Sequence, residues 1–149
     1  MTARYKAILS ELAFEVGLES ADDLLSTEEL IIGERVIGFS YEPYDVNDPV
    51  DGDIVFFAVL GGVPSGRELG FYRLLLEANH LWAGTGGAVL GLQRNTGNVV
   101  LAARLPLERL QADHLAGALE AFAETADFWA DVLAGKRTDS GSESFLLQA

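Results

Sequence analysis

Several stretches of the chain combine residue types that do chemistry in other proteins. Gly84-Thr85-Gly86-Gly87 has the composition of a phosphate-binding loop. Such a loop follows a strand and opens a helix, so that amide hydrogens and the positive helix end face the anion. Here the glycines follow a helical pattern, lead into a strand pattern and have no lysine beside them, which reads as a tight helix-to-strand turn. Asn47-Asp48-Pro49-Val50-Asp51-Gly52-Asp53 offers oxygen ligands and a glycine. With Asp51 and Gly52 at positions 5 and 6 of a calcium loop, Pro49 falls at position 3 and Ala58 at position 12, where a bidentate Glu is needed. That template fails, and a solvated turn is expected.

The remaining candidates are weaker. His80 and His114 form no His-x-x-x-His pair and lie near no carboxylate motif, so a zinc site is not expected. Ser65 is one residue out of register with a Gly-x-Ser-x-Gly elbow and reads as a helix N-cap. Asp113, Glu120, Glu124, Asp127 and Asp131 line one side of the last helix; solvated carboxylates of ordinary pKa make poor general acids near neutral pH. Cysteine is absent, which removes disulfides, thiolate metal sites and cysteine nucleophiles. No catalytic residue, metal site or cofactor is expected.

Composition points elsewhere. The 149 residues suit one domain, and 49% of them are hydrophobic, far from the composition of a disordered chain. Ten Lys and Arg against 23 Asp and Glu give a net charge of −13. Such a surface repels nucleic-acid backbones and anionic lipid, so neither is an expected partner. The charge is uneven: residues 1–66 carry −10, 67–111 carry +2 and 112–149 carry −5. The middle segment is also rich in apolar residues, a combination that suits self-contact. The first twelve residues lack a signal-peptide core, and the longest apolar run, Ile54 to Leu60, is strand-sized. A soluble cytosolic protein is the expectation.

The elements follow from periodicity. Tyr5, Ile8, Leu9, Leu12 and Val16 share one side of a helix over 3–17, with Phe14 and Ala7 on the other side. Strands are expected over 28–34, 36–42 and 54–60, the last an interior strand, with a Pro- and Asp-rich loop over 44–53. From 67 to 83 runs a helix apolar nearly all round, which needs cover nearly all round. A sheet supplies one side, and a second copy of the chain is the expected other cover. A hairpin over 88–105 turns at Arg94-Asn95-Thr96-Gly97, and a final helix over 112–134 stops at Gly135. The order is α-β-β-β-α-β-β-α: an α+β domain over 1–135 with a mostly antiparallel twisted sheet flanked by helices. Residues 136–149 read as a polar, disordered tail.

The block Leu75-Leu76-Glu77-Ala78-Asn79-His80-Leu81-Trp82, then Gly84-Thr85-Gly86-Gly87 and Val89-Leu90-Gly91-Leu92, resembles the core signature of the class I type III secretion chaperones, the Tir chaperone family. The resemblance continues through Gly97-Asn98-Val99-Val100-Leu101, Arg104-Leu105-Pro106-Leu107 and the apolar stripe of the last helix, and spans about residues 3–135. It implies a two-fold homodimer without enzymatic activity in the bacterial cytoplasm. Such a chaperone binds the N-terminal, non-globular segment of one or a few secreted effectors and keeps them secretion-competent; the export-apparatus ATPase is a further implied partner.

Carried over position by position, the resemblance places effector-binding residues at Ala7 and Phe14 on the first helix and at Ile32, Phe39, Leu92 and Leu101 on the strands. It places Leu75, Ala78, Asn79 and Trp82, with Phe71, at the dimer contact. A non-enzymatic regulatory or scaffolding module that binds a folded partner is the alternative. The acidic surface has two readings: it keeps exposed apolar patches from aggregating, or it attracts basic stretches of the partner.

Overall fold

Tyr5, Ile8, Leu9 and Leu12 recur at helical spacing, and helix α1 (Ala3–Glu15) buries all four together with Ala13. The Thr2 side chain caps its first turn by accepting from the Tyr5 N–H at 3.3 Å. The helix ends two residues earlier than its periodicity suggests, at the approach to Gly17, whose φ of 89° only glycine adopts readily. The computed structural model describes residues 2–136, so the expected tail from 137 onward lies outside the described residues.

A short helix follows that the sequence pattern does not reveal, α2 (Asp22–Thr27), with Asp22 and Asp23 in its first turn where the helix dipole favours them. Glu28 ends it in a left-handed conformation (φ 53°, ψ 36°), donating its N–H to the Leu24 carbonyl. The Glu28 carbonyl in turn accepts from the Phe39 N–H at 2.8 Å.

Strands β1 (Glu29–Ile32) and β2 (Arg35–Asp45) pair antiparallel, with Leu30 opposite Ile37 on a buried face and Ile31 opposite Val36 on an exposed one. Strand β3 (Asp48–Gly62) begins just beyond β2. The loop expected over 44–53 is therefore largely strand, turning at Val46 and Asn47. Apolar alternation marks a strand only where one face is buried, and this stretch is mostly exposed, so it carried no such mark. Further along β3, Ile54, Phe56, Ala58 and Leu60 are buried.

Helix α3 (Glu68–Asn79) is shorter than the 67–83 expected, because a 3-10 turn (His80–Trp82) closes it. Ser65 does not cap it: Arg67 occupies the N-cap position, and the Glu68 carboxylate accepts from the Gly66 N–H at 2.7 Å. That backbone bond holds the Glu68 carboxyl below the usual range. After the glycine turn come β4 (Val89–Leu92), β5 (Asn98–Pro106) and α4 (Ala112–Leu133). The strand order is β1-β2-β3-β5-β4, a five-stranded antiparallel sheet accompanied by helices, an α+β fold.

Two compact units divide the chain. The first comprises Met1–Phe56 and Arg104–Ala121. In it, Arg4 closes α1 onto the segment after β5, its guanidinium donating to the Leu110 carbonyl at 2.6 Å. Tyr5 reaches Glu28, its hydroxyl donating to the carboxylate at 2.5 Å. The second comprises Phe57–Ala103 and, among the described residues, 122–136. Its anchor is Trp129, fully buried, whose indole N–H donates to the Gly84 carbonyl at 2.8 Å. The glycine turn thus serves as a docking point for α4.

Burial and the neighbouring Glu28 carboxylate both raise the Tyr5 pKa far above its ordinary value of 10.0. The folded chain therefore keeps a proton that the unfolded chain surrenders, and this contribution to stability is full below pH 10.0 and declines as pH rises above it. Urea denaturation repeated across the alkaline range is expected to show that decline, and Tyr5→Phe is expected to flatten it.

Candidate functional site

Ala7 and Phe14 are both exposed, as expected for a shared side of α1 two turns apart. Phe14 leaves 63% of its surface in solvent. It borders a shallow cleft of about 670 Å³ with Glu11, Glu15, Gln111, Ala112 and Asp113. An apolar ring beside three carboxylates cannot hold a catalytic water in a dry site. It can grip an apolar side chain whose neighbours are basic.

The strand positions divide differently from expectation. Phe39 is 4% exposed and Leu101 0%: both point into the core and cannot meet a partner while the fold is intact. Period-two alternation says which residues share a face but not which face is covered. The register supplies the answer, for Leu90 opposes Leu101 and Leu92 opposes Val99 on the buried side of the β4–β5 pair. Leu92 emerges only because it ends an edge strand, and Ile32 is half-buried at the end of β1 for the same reason. The open side of that second pair carries Val89, Gly91, Val100 and Ala102 instead. In the first unit the open side of β1–β2 carries Ile31 and Val36.

Helix α3 requires a similar correction. Phe71, Leu75 and Ala78 are buried within their own chain and cannot be the contact with a second copy. Asn79 is also engaged internally, its amide donating to the Leu90 carbonyl and accepting from the Leu90 N–H, both at 2.8 Å. The face left in water is one step round the helix: Leu69 at 84% exposure, Tyr72, and Leu76 at 71%. Leu81 and Trp82 extend this apolar surface, Trp82 with 56% exposed. Both adopt left-handed backbone (φ 51° and 57°), a conformation that bulky residues rarely take. The spacing of Leu69, Tyr72 and Leu76 on one side was legible; which of the apolar sides the sheet takes was not.

One constellation escaped sequence reasoning. In the first unit, buried Asp53 accepts from the Tyr44 hydroxyl and, at 2.6 Å, from Arg104 Nε. The Asp53 bond raises both the Tyr44 and the Arg104 pKa, so each holds its proton. The three side chains come from three different strands, with only Asp53 at the head of an apolar run as a signal. Among the described residues no group of three His, Cys, Asp or Glu is placed to hold a metal ion. Among the described residues no helix is long and apolar enough to cross a membrane.

Among the described residues the site thus comprises an open sheet face and a water-exposed apolar helix face. The family model of the Tir chaperone protein (CesT) family matches residues 46–130, more than half of the chain, and the protein belongs to that family. No curated protein matches its sequence. Its fold is similar to solved structures of low identity. One is the ExoT–SpcS complex from Pseudomonas aeruginosa (TM-score 0.60, 20% identity, 85% of this chain and 97% of that one). Another is the ExsC–ExsE complex (TM-score 0.57, 21% identity, 89% and 96%). A third is the Yersinia pestis type III secretion chaperone SycH with a stable fragment of YscM2 (TM-score 0.56, 20% identity, 83% and 98%).

Because Asn79 serves its own chain, Asn79→Ala strands the buried Leu90 amide and carbonyl at the base of β4. It is expected to cost about 2 kcal/mol. Denaturant midpoints should shift by the same amount at every protein concentration, which a residue acting only across a dimer contact would not do.

Proposed function

We propose that the protein is a non-enzymatic, homodimeric chaperone of the bacterial cytoplasm that holds the N-terminal, non-globular segment of one or a few type III secretion effectors. One observation carries the reading beyond family membership. The chain presents large apolar side chains on two kinds of surface, a regular helix face and an open sheet side with a helix anchor, while nothing near them does chemistry. Among the similar structures, one is described as a chaperone–effector complex, HopA1–SchA.

The two surfaces divide the labour. Leu69, Tyr72, Leu76 and Trp82 form the contact with the second copy, a flat and regular strip suited to an identical partner. Phe14 and Ala7, with Ile32 at the end of edge strand β1, receive the client in the first unit, and Leu92 at the end of edge strand β4 offers a separate contact in the second. An extended segment gains main-chain hydrogen bonds at an edge strand and lodges alternate side chains in shallow patches. Burying these apolar groups supplies the driving force in both cases. The net charge of −13 keeps the client-free chaperone dispersed. Residues 1–135 act as one functional domain, and delivery to the export-apparatus ATPase completes the role.

Light scattering at micromolar concentration is expected to show a dimer. Leu76→Asp should yield a folded monomer, because a charge on the exposed strip is tolerated only without a partner. Leu75→Asp should fail to fold, since an unpaired charge would be buried. A native chain that remains monomeric at all concentrations overturns the dimer. Bound polypeptide recovered from the native host should be an N-terminal segment without fold of its own; a folded partner would sink the client reading. Phe14→Asp is expected to weaken capture of that segment by about tenfold, the loss of one buried aromatic contact, with the dimer unchanged.

A further inference from the structure

Beside the N-terminus of α1 lies a cleft of about 530 Å³ lined by Thr2, Tyr5, Glu28, Tyr41, Pro43 and Pro49. Its walls are unusual for a surface so acidic. The Tyr5 and Tyr41 rings lie 5.8 Å apart and 34° from parallel; Tyr5 is buried behind the wall, and Tyr41 supplies the accessible aromatic face. Tyr41 is fixed by its hydroxyl, which donates to the Pro49 carbonyl at 2.6 Å. Its ring rests on Gly52, where a Cβ would stand 2.7 Å from it, so only glycine lets the ring lie there. The side is therefore rigid, aromatic and proline-rich.

A single carboxylate, Glu28, faces this apolar wall. Its backbone is pinned on both sides, by the N–H bond to Leu24 and the carbonyl bond from Phe39, in a left-handed conformation. Its Oε2 accepts from Tyr5, a neutral donor that satisfies one oxygen without cancelling the charge. Among the described residues no lysine or arginine pairs with Glu28. Burial raises the Tyr41 pKa, and the nearby Asp51 and Asp48 carboxylates raise it further, so the surroundings of the ring carry negative potential.

We propose that this cleft is a receptor for a guanidinium group, an arginine side chain presented by an extended polypeptide. The planar guanidinium stacks on aromatic faces and donates in a fork that matches a carboxylate. An apolar guest would instead cover the Glu28 charge without a partner, at a cost no apolar contact offsets. A hard metal ion would need several oxygen ligands where the wall offers one carboxylate. The assignment deepens the client reading and rests on it for the source of the arginine, which the client segment carries.

The probe is N-acetyl-arginine amide, titrated into the full-length ¹⁵N-labelled protein at constant ionic strength. Saturable shifts are expected at Thr2, Glu28, Tyr41 and their neighbours. N-acetyl-citrulline amide, of nearly the same shape but uncharged, should bind about tenfold more weakly or worse, the loss of a charge-assisted pair. Glu28→Gln keeps the acceptor for Tyr5 and should weaken the arginine probe to a similar degree. Shifts that spread over the acidic surface without saturating overturn the proposal, as does equal binding of citrulline, an unchanged Glu28→Gln titration, or no shift at any soluble concentration. The citrulline comparison needs no variant, so it stands if Glu28→Gln fails to fold. A negative titration leaves effector capture standing, and failure of capture leaves the titration unaffected.

Discussion

Helix α3 carries apolar side chains on more sides than its own chain covers. A helix in this position buries one side and must do something with the rest. Phe71, Leu75 and Ala78 take the buried side, which leaves Leu69, Tyr72 and Leu76 in water. Much of the surrounding structure accommodates that imbalance. The helix breaks at His80 before its periodicity would end it, and the following turn adds Leu81 and Trp82 to the same exposed character.

The order of the larger elements was legible because their cores obey simple periods. Tyr5, Ile8, Leu9 and Leu12 lie buried where helical spacing places them. The continuous apolar run Ile54 to Leu60 lies in a strand inside the sheet, with Ile54, Phe56, Ala58 and Leu60 buried and Val59 left exposed. Legibility failed where burial is slight. The stretch from Tyr44 to Asp53 pairs as strand while mostly wet, so its side chains carry no alternation, and Asp and Pro disguise it as a loop. Helix α2 is too short for a period to show.

Site residues were harder, for a different reason. A pattern groups residues by face but does not say which face meets the core. Ala7 and Phe14 came out exposed because the alternative stripe of α1 was plainly the more apolar one. Phe39 is buried on the face of β2 that the alternation of Ile37, Phe39 and Tyr41 with Gly38, Ser40 and Glu42 marks as the better covered. Leu101, in contrast, sits in a strand apolar on both faces, where spacing does not choose between them. The Tyr44–Asp53–Arg104 cluster and the Tyr5–Glu28 pair join residues from separate elements, and such contacts leave no trace in local spacing.

The left-handed backbone at Leu81 and Trp82 has a consequence for anyone who would engineer this protein. Glycine occupies that conformation without steric penalty, whereas a residue with a Cβ gives up roughly 1–2 kcal/mol. Two bulky residues therefore sit where the isolated subunit would be sturdier without them. Directed evolution for heat resistance alone would drift toward glycine at both sites and discard the indole and isobutyl groups displayed there. Thermal tolerance and the display of apolar surface pull in opposite directions at this corner, and a screen that rewards only the first would erode the second.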